Sequence, residues 1–234
     1  MTLSLDRQNA YREQFRTWHP NWRPATEVYE AAIRAYLKPV CRVLDLGCGR
    51  GGVFEQLGAG VSYPVGCDPD LTSLREHRLP DLPRVQARAD ALSFRGNTFD
   101  LVVCSWLFEH LPDPLKVFAE VKRILAPGGA FIFLTPNGFS PVALLNRTLR
   151  PLQRTLVPRL YGRAQEDTFP VYYRANSPRQ IARLAEKVGF RVEALRKVED
   201  PTYLAFTPLL FRLSIALARI TAPVHLVGVL ISSG

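Results

Sequence analysis

The chain is expected to fold as an α/β protein with a doubly wound, mostly parallel sheet. Three observations predict this. Short apolar runs alternate with helical patterns from about residue 41 to residue 135, the signature of a parallel sheet with helices on both faces. The first run, Val43-Leu44-Asp45-Leu46, ends at a glycine-rich turn, Gly47-Cys48-Gly49-Arg50-Gly51-Gly52. The second run, Tyr63–Cys67, ends in a carboxylate, Asp68. Right-handed crossovers in such a sheet place ligands at the carboxyl edge of the strands, and every notable polar residue falls at such an edge.

The elements follow in order. Residues 7–37 read as helical, broken near His19-Pro20 and Arg23-Pro24, with Tyr11, Phe15 and Trp18 on one face. The first strand covers 41–46 and a helix 50–58; the second strand ends at Asp68, a helix covers about 70–77, and a short third strand lies near 84–87. Leu101–Trp106 is the fourth strand. Pro112 opens a helix to about Leu125, Pro127-Gly128-Gly129 ends it, and Ala130–Thr135 is the fifth strand. Asn137–Asn176 is too long for an ordinary loop. It is rich in arginine, proline and tyrosine and reads as a substrate-side cap, helical at Pro141–Val157. Ser177-Pro178 starts a helix that Gly189 ends. Phe190–Lys197 is the sixth strand, 209–220 an apolar helix, and Val224–Ile231 the seventh strand.

The glycine turn fits the dinucleotide pattern G-x-G-x-x-G. Asp45, two residues before the first glycine, argues against a diphosphate there, because like charges repel strongly in a partly dry site. A cofactor with an ammonium group is instead attracted, and S-adenosylmethionine has one. Asp68 can accept both ribose hydroxyls of either nucleoside cofactor. Asp90, in Ala89-Asp90-Ala91, can accept from an adenine amino group.

These segments resemble the class I S-adenosylmethionine-dependent methyltransferases of the small-molecule type, related to quinone-biosynthesis methyltransferases. Val43–Gly51 resembles the first motif, Asp68 the ribose acid, and Ala89-Asp90-Ala91 the adenine-side motif. Phe99–Trp106 resembles the fourth strand, Glu109-His110-Leu111-Pro112-Asp113 the segment after it, and Leu125–Gly129 the turn before strand five. The resemblance covers about residues 40–137 in motif detail and Asn176–Val198 more weakly. It implies a seven-stranded Rossmann-like methyltransferase fold over 1–234, with an antiparallel last strand beside strand six. It further implies a helical N-terminal lid at 1–38, a helical cap at 138–176 and an apolar helical insertion at 203–221. For the site it implies that Asp45, Gly47 and Cys48 hold the methionine end and that Gly49 and Gly51 allow close approach. Asp68 and Pro69 take the ribose and adenine, Asp90 and Ala91 the adenine edge, and Ser105, Trp106 and Leu107 the sulfur side.

The expected activity is methyl transfer to a small-molecule or lipid-like acceptor, through an oxygen nucleophile. A quinone-type ring carbon is the alternative within the class. An oxygen nucleophile needs a base, and His110 after the fourth strand is the candidate; Glu109 reads as a loop-ordering carboxylate. His19 is a weaker candidate from the lid. His77 is placed on an external helix and His225 at a strand start. A nicotinamide-dependent oxidoreductase competes on the glycine turn alone, but the chain shows no Tyr-x-x-x-Lys arrangement. A non-catalytic binding module is the third reading.

At 234 residues, with 47% hydrophobic and 22% charged residues, the composition is that of an ordinary globular domain. The start lacks a basic segment followed by an apolar run, so no secretory leader is expected. No run of about 18 apolar residues suggests a spanning helix. The four cysteines, Cys41, Cys48, Cys67 and Cys104, sit in or beside strand segments without metal-ligand spacing, which reads as buried thiols in a reducing, cytoplasmic setting with no metal. Net charge is +9, and residues 138–234 hold fourteen Lys or Arg against six acids. No nucleic-acid motif accompanies the charge. The basic, aromatic cap suits an acidic, sugar-bearing or lipid-linked acceptor. For 204–220 the readings are core packing, a dimer face, or peripheral contact with a membrane.

Overall fold

The computed structural model describes residues 3–148 and 170–233. Seven strands form one sheet: β1 (Arg42–Leu46), β2 (Tyr63–Asp68), β3 (Arg84–Gln86), β4 (Phe99–Ser105), β5 (Leu125–Pro136), β6 (Phe190–Val198) and β7 (His225–Ser232). Their order is β3-β2-β1-β4-β5-β7-β6. The first five strands run parallel, while β7 lies between β5 and β6, antiparallel to both. The expected antiparallel strand is therefore present, paired on both sides. Chain order reverses between β1 and β4, so the crevice for a ligand opens there.

The helices are α1 (Leu5–Trp18), α2 (Ala25–Arg34), α3 (Phe54–Leu57), α4 (Leu71–Arg75), α5 (Pro114–Ile124), α6 (Pro141–Thr148), α7 (Pro178–Val188) and α8 (Pro208–Ala218). Local chemistry explains their ends. Ser177 accepts from the Gln180 N–H with Pro178 in the first turn of α7, and Gly189 closes that helix at φ +80°. Asp113 caps α5 and Pro114 opens it; the expected start at Pro112 is corrected because the capping carboxylate lies one residue beyond it. The cap helix runs to Thr148, and the rest of the expected Pro141–Val157 span, with Arg150, Arg154, Arg159, Tyr161, Arg163 and Phe169, lies outside the described residues.

Strand alternation divides the core in two. Leu44 and Leu46 face a layer built from Phe108, Phe118, Val121, Phe131 and Ile181, under α5 and α7. Val43, Val103 and Ile132 face Ala25, Tyr29, Ile33 and Phe54, under α2 and α3. Asp45 falls on this second face by the same alternation, a carboxylate at the end of an apolar column. All four cysteines are buried thiols.

Candidate active site

The glycine turn leaves β1 at its carboxyl end. Gly47 and Cys48 both donate their N–H to the Cys67 carbonyl, at 2.7 and 3.2 Å, and Gly51 donates to the Cys48 carbonyl at 3.0 Å. Gly49 and Gly51 take φ of +52° and +153°, values that side chains with a Cβ rarely adopt. The expected helix over 50–58 is corrected: α3 begins only at Phe54 and spans four residues. Among the described residues no long helix starts at the turn, and the amides of Gly47, Cys48, Gly49 and Gly51 are engaged. A diphosphate finds few donors here, whereas carbonyl and carboxylate oxygens still accept from a cation. The backbone N–H groups of Gly47 and Cys48 are thus already bonded to the end of β2.

Beside the turn lies a cavity of about 520 Å³, within the roughly 300–1,000 Å³ usual for small-molecule sites. Of the residues singled out in the sequence, Gly47, Cys48, Gly49, Gly51, Asp68, Pro69, Asp90, Ser105, Trp106, Leu107 and His110 line it. Asp68 is held by two backbone donors, Gly49 N–H on Oδ2 and Asp70 N–H on Oδ1, both at 2.9 Å. Each oxygen keeps a second lone pair, enough for two hydroxyls. Asp90 is engaged by Arg88 at 2.9 and 2.8 Å, and that pairing holds its carboxyl below the usual range. Ala91 does not line the cavity, and its N–H donates to the Arg88 carbonyl at 3.1 Å.

Asp45 is also off that wall. It is buried, and its Oδ2 has no hydrogen-bond partner among the described residues. Burial pushes its pKa up to about 7, the Val53 N–H opposes this, and the charge of Asp68 adds to it. A Cβ placed on Gly52 would come within 2.2 Å of Asp45 Oδ2. Only glycine therefore lets the turn pack this closely on a buried carboxylate with one unpaired oxygen. An adjoining cavity of about 310 Å³ is lined by Tyr29, Gly51, Gly52, Ser105 and Trp106, among others. The Tyr29 hydroxyl is buried and likewise has no partner among the described residues; burial raises its pKa first, and the charge of Asp45 second.

Sequence reading passed over Tyr29. Its signal was available: one tyrosine in the stripe Ala25, Tyr29, Ile33, where the other two members carry no polar atom.

Beyond β4 the chain turns sharply. Trp106 sits at φ +56°, a strained position for a residue with a Cβ, and its ring meets His225 edge-on at 5.2 Å. Leu107 covers Gly47 closely enough to touch any side chain placed there. Phe108 plugs the core, and Glu109 and His110 follow in the same 3-10 turn, Phe108–His110. Glu109 is buried, with Thr135 Oγ1 donating to it at 3.5 Å and Asn176 donating in turn to Thr135 at 2.7 Å. Burial pushes the Glu109 pKa up to about 7. Its backbone carbonyl accepts from the Tyr172 N–H at 2.7 Å, a contact in which the carboxylate takes no part. His110 places Nδ1 2.8 Å from the Pro170 carbonyl, and burial lowers its pKa. The other three histidines do not line that cavity. His77 is corrected: it follows α4 rather than riding on it, buried, with Nδ1 accepting from the Leu79 N–H at 3.1 Å. Among the described residues no cluster of His, Cys, Asp or Glu could hold a metal ion.

The profile of a family described as a methyltransferase domain matches residues 10–195. The chain belongs to this family. The methyltransferase is 31% identical over 195 residues to the ubiquinone biosynthesis O-methyltransferase of Thiobacillus denitrificans, covering 77% of this chain and 80% of that one. It is 36% identical over 107 residues to the same-named enzyme of Xanthomonas campestris, 42% of this chain and 44% of that one. Its fold matches an S-adenosylmethionine dependent methyltransferase from Mesorhizobium loti, with TM-score 0.57, 22% identity and coverage of 86% and 96%. It also matches geranyl diphosphate C-methyltransferase from Streptomyces coelicolor, with TM-score 0.60, 14% identity and coverage of 88% and 77%.

The cofactor of the methyltransferase is S-adenosylmethionine, and the residues present suit it. The orphaned Asp45 oxygen under Gly52 and the orphaned Tyr29 hydroxyl complement an ammonium and a carboxylate, the two charges of an amino-acid end. The larger cavity, with Asp68 pre-oriented, has room for the nucleoside.

Proposed function

We propose that the methyltransferase transfers a methyl group to an oxygen nucleophile of a small-molecule or lipid-like acceptor. In this reading Asp45 and Tyr29 receive the ammonium and carboxylate of the cofactor, and Asp68 receives its ribose hydroxyls. Trp106 and Leu107 flank the sulfur, and Asp90 stands at the adenine rim, with Arg88 beside it. The bound cofactor supplies a methyl group already activated on a sulfonium. What the protein adds is alignment, exclusion of water and disposal of a proton. Residues 1–38 contribute the lid through α2, which carries Tyr29, and the described parts of the cap segment, 138–148 and 170–176, stand on the acceptor side, with Pro170 and Tyr172 on the cavity wall.

One observation carries the oxygen-nucleophile reading: the imidazole of His110 lies on the cavity wall with Nδ1 fixed against the Pro170 carbonyl. A carbonyl can only accept, so His110 Nδ1–H donates to Pro170 and the basic lone pair of the neutral ring sits on Nε2. The lowered pKa keeps the ring unprotonated at neutral pH. It can then take the proton that a hydroxyl sheds as it is methylated. Glu109 Oε1, 3.9 Å from Nε2, would steady the imidazolium once formed. The name of the Thiobacillus denitrificans relative, an O-methyltransferase, supports the same chemistry.

The test uses methyl-labelled cofactor and a dihydroxybenzoate acceptor. His110→Ala is expected to lower kcat by about 10²–10⁴-fold while S-adenosylhomocysteine affinity changes less than twofold. The wild-type rate should fall as pH drops through the lowered His110 pKa, and the variant should lose that limb. Equal losses in kcat and cofactor affinity would make His110 structural, and transfer to ring carbon alone would replace the reading.

Asp45 gives a second expectation. An ammonium favours the carboxylate, so binding competes with the proton that Asp45 holds below its free pKa of about 7. Affinity should be level above about pH 8 and fall up to tenfold per pH unit below 7. Asp45→Asn should flatten this profile and weaken binding at pH 8 by about 1–3 kcal/mol. Calorimetry with S-adenosylhomocysteine across pH checks both.

A further inference from the structure

A surface helix normally turns a polar side to water, and α8 does not. Its inner side packs Phe211 against Phe15, Ala205 and the Tyr11 ring, the latter at 4.5 Å. Its outer side presents Leu209 and Leu213, 68% and 56% exposed, and Ile220 just beyond the helix is 83% exposed. The charged groups there are Arg212 and Arg219, and the segment Pro208–Ile220 has no Asp or Glu. Trp18 stands at the edge, 48% exposed and stacked at 5.9 Å on Phe211. Beside it a cavity of about 370 Å³ opens between Trp18, Trp22, Ile215 and Arg219.

A contiguous exposed apolar face implies a partner that covers it, and charge selects which. In a twofold contact each copy would bring its own Arg212 and Arg219 and no acid from this helix. A bilayer with anionic headgroups offers apolar depth for the leucines, phosphates for arginines whose stems lie along apolar surface, and an interfacial layer that suits tryptophan. The net charge of +9 has the matching sign. We propose that α8 and Trp18 form a docking surface for an anionic lipid bilayer, with the helix lying in the plane of the interface. No helix of the described residues is long and apolar enough to cross a membrane, so the contact is peripheral. This inference goes beyond the proposed reaction and does not depend on it.

Co-sedimentation with vesicles tests it on the full chain. The protein should pellet with phosphatidylcholine–phosphatidylglycerol vesicles and not with phosphatidylcholine alone, and binding should fall severalfold between low and high salt. Leu209→Ser with Leu213→Ser should reduce binding at least tenfold, and Arg212→Ala with Arg219→Ala should remove the preference for anionic lipid. The thermal midpoint and S-adenosylhomocysteine affinity should hold in each variant. If the double leucine variant fails to fold, Ile220→Ser, outside the helix, carries the same expectation with a smaller loss. Absent pelleting of the folded wild type, undiminished pelleting of a folded leucine or isoleucine variant, or a dimer that those substitutions dissociate would overturn the proposal.

Discussion

Asp68→Ala is expected to weaken S-adenosylhomocysteine binding about 100-fold, the loss of one or two hydrogen bonds to a charged acceptor at roughly 1.5–3 kcal/mol each. On the proposed placement both carboxylate oxygens meet ribose hydroxyls. The same oxygens hold Gly49 and Asp70 through their N–H groups, so the alanine variant also releases the turn that shapes the cavity. Asp68→Asn should recover part of the loss, because it keeps one carbonyl acceptor while replacing the other with a donor. Calorimetry at pH 8 separates these variants. Unchanged affinity in Asp68→Ala would remove the ribose from this edge of the sheet and with it the proposed orientation of the cofactor.

Phe108→Ala is expected to cost about 3–5 kcal/mol of stability. The ring is fully buried and packs on Phe133 at 4.6 Å, Phe118 at 5.4 Å and Phe131 at 5.9 Å. It therefore joins β5 to α5, and no neighbour can collapse into its space without leaving another aromatic partner. It also precedes Glu109 and His110 directly, so packing in the core sets where those side chains stand. Urea unfolding should show a lower midpoint with an unchanged slope, and Phe108→Leu should lose less than half as much. A loss under about 1 kcal/mol would mean that the aromatic cluster repacks freely.

Much of this molecule could be read from residue order. The alternation of apolar runs and amphipathic stretches forced parallel strands and two covering layers, because each strand buried on both faces needs helices to cover it. Ser177-Pro178 and Gly189 marked both ends of α7, since capping depends on neighbours in the chain. The acids at strand ends also stood out, because a carboxylate closing an apolar run has few structural uses.

Less could be read where distant segments meet. That α3 starts late follows from the backbone angles of Gly49 and Gly51. Tyr29 and Asp45 are 16 positions apart in the chain, and only packing of α2 over the sheet brings the charge of Asp45 within reach of the Tyr29 hydroxyl. His110 acquires its tautomer from Pro170, 60 residues away.

Residue order alone thus determined the sheet, its helical layers and the strand edge at which a cofactor is proposed to sit, because periodicity, capping and turn formation are local. Tertiary structure alone decided which buried groups stay unsatisfied, which nitrogen of His110 carries its proton and which apolar face is left to an external partner. Desolvation and hydrogen-bond pairing depend on what surrounds an atom in space, and no chain-local pattern records that.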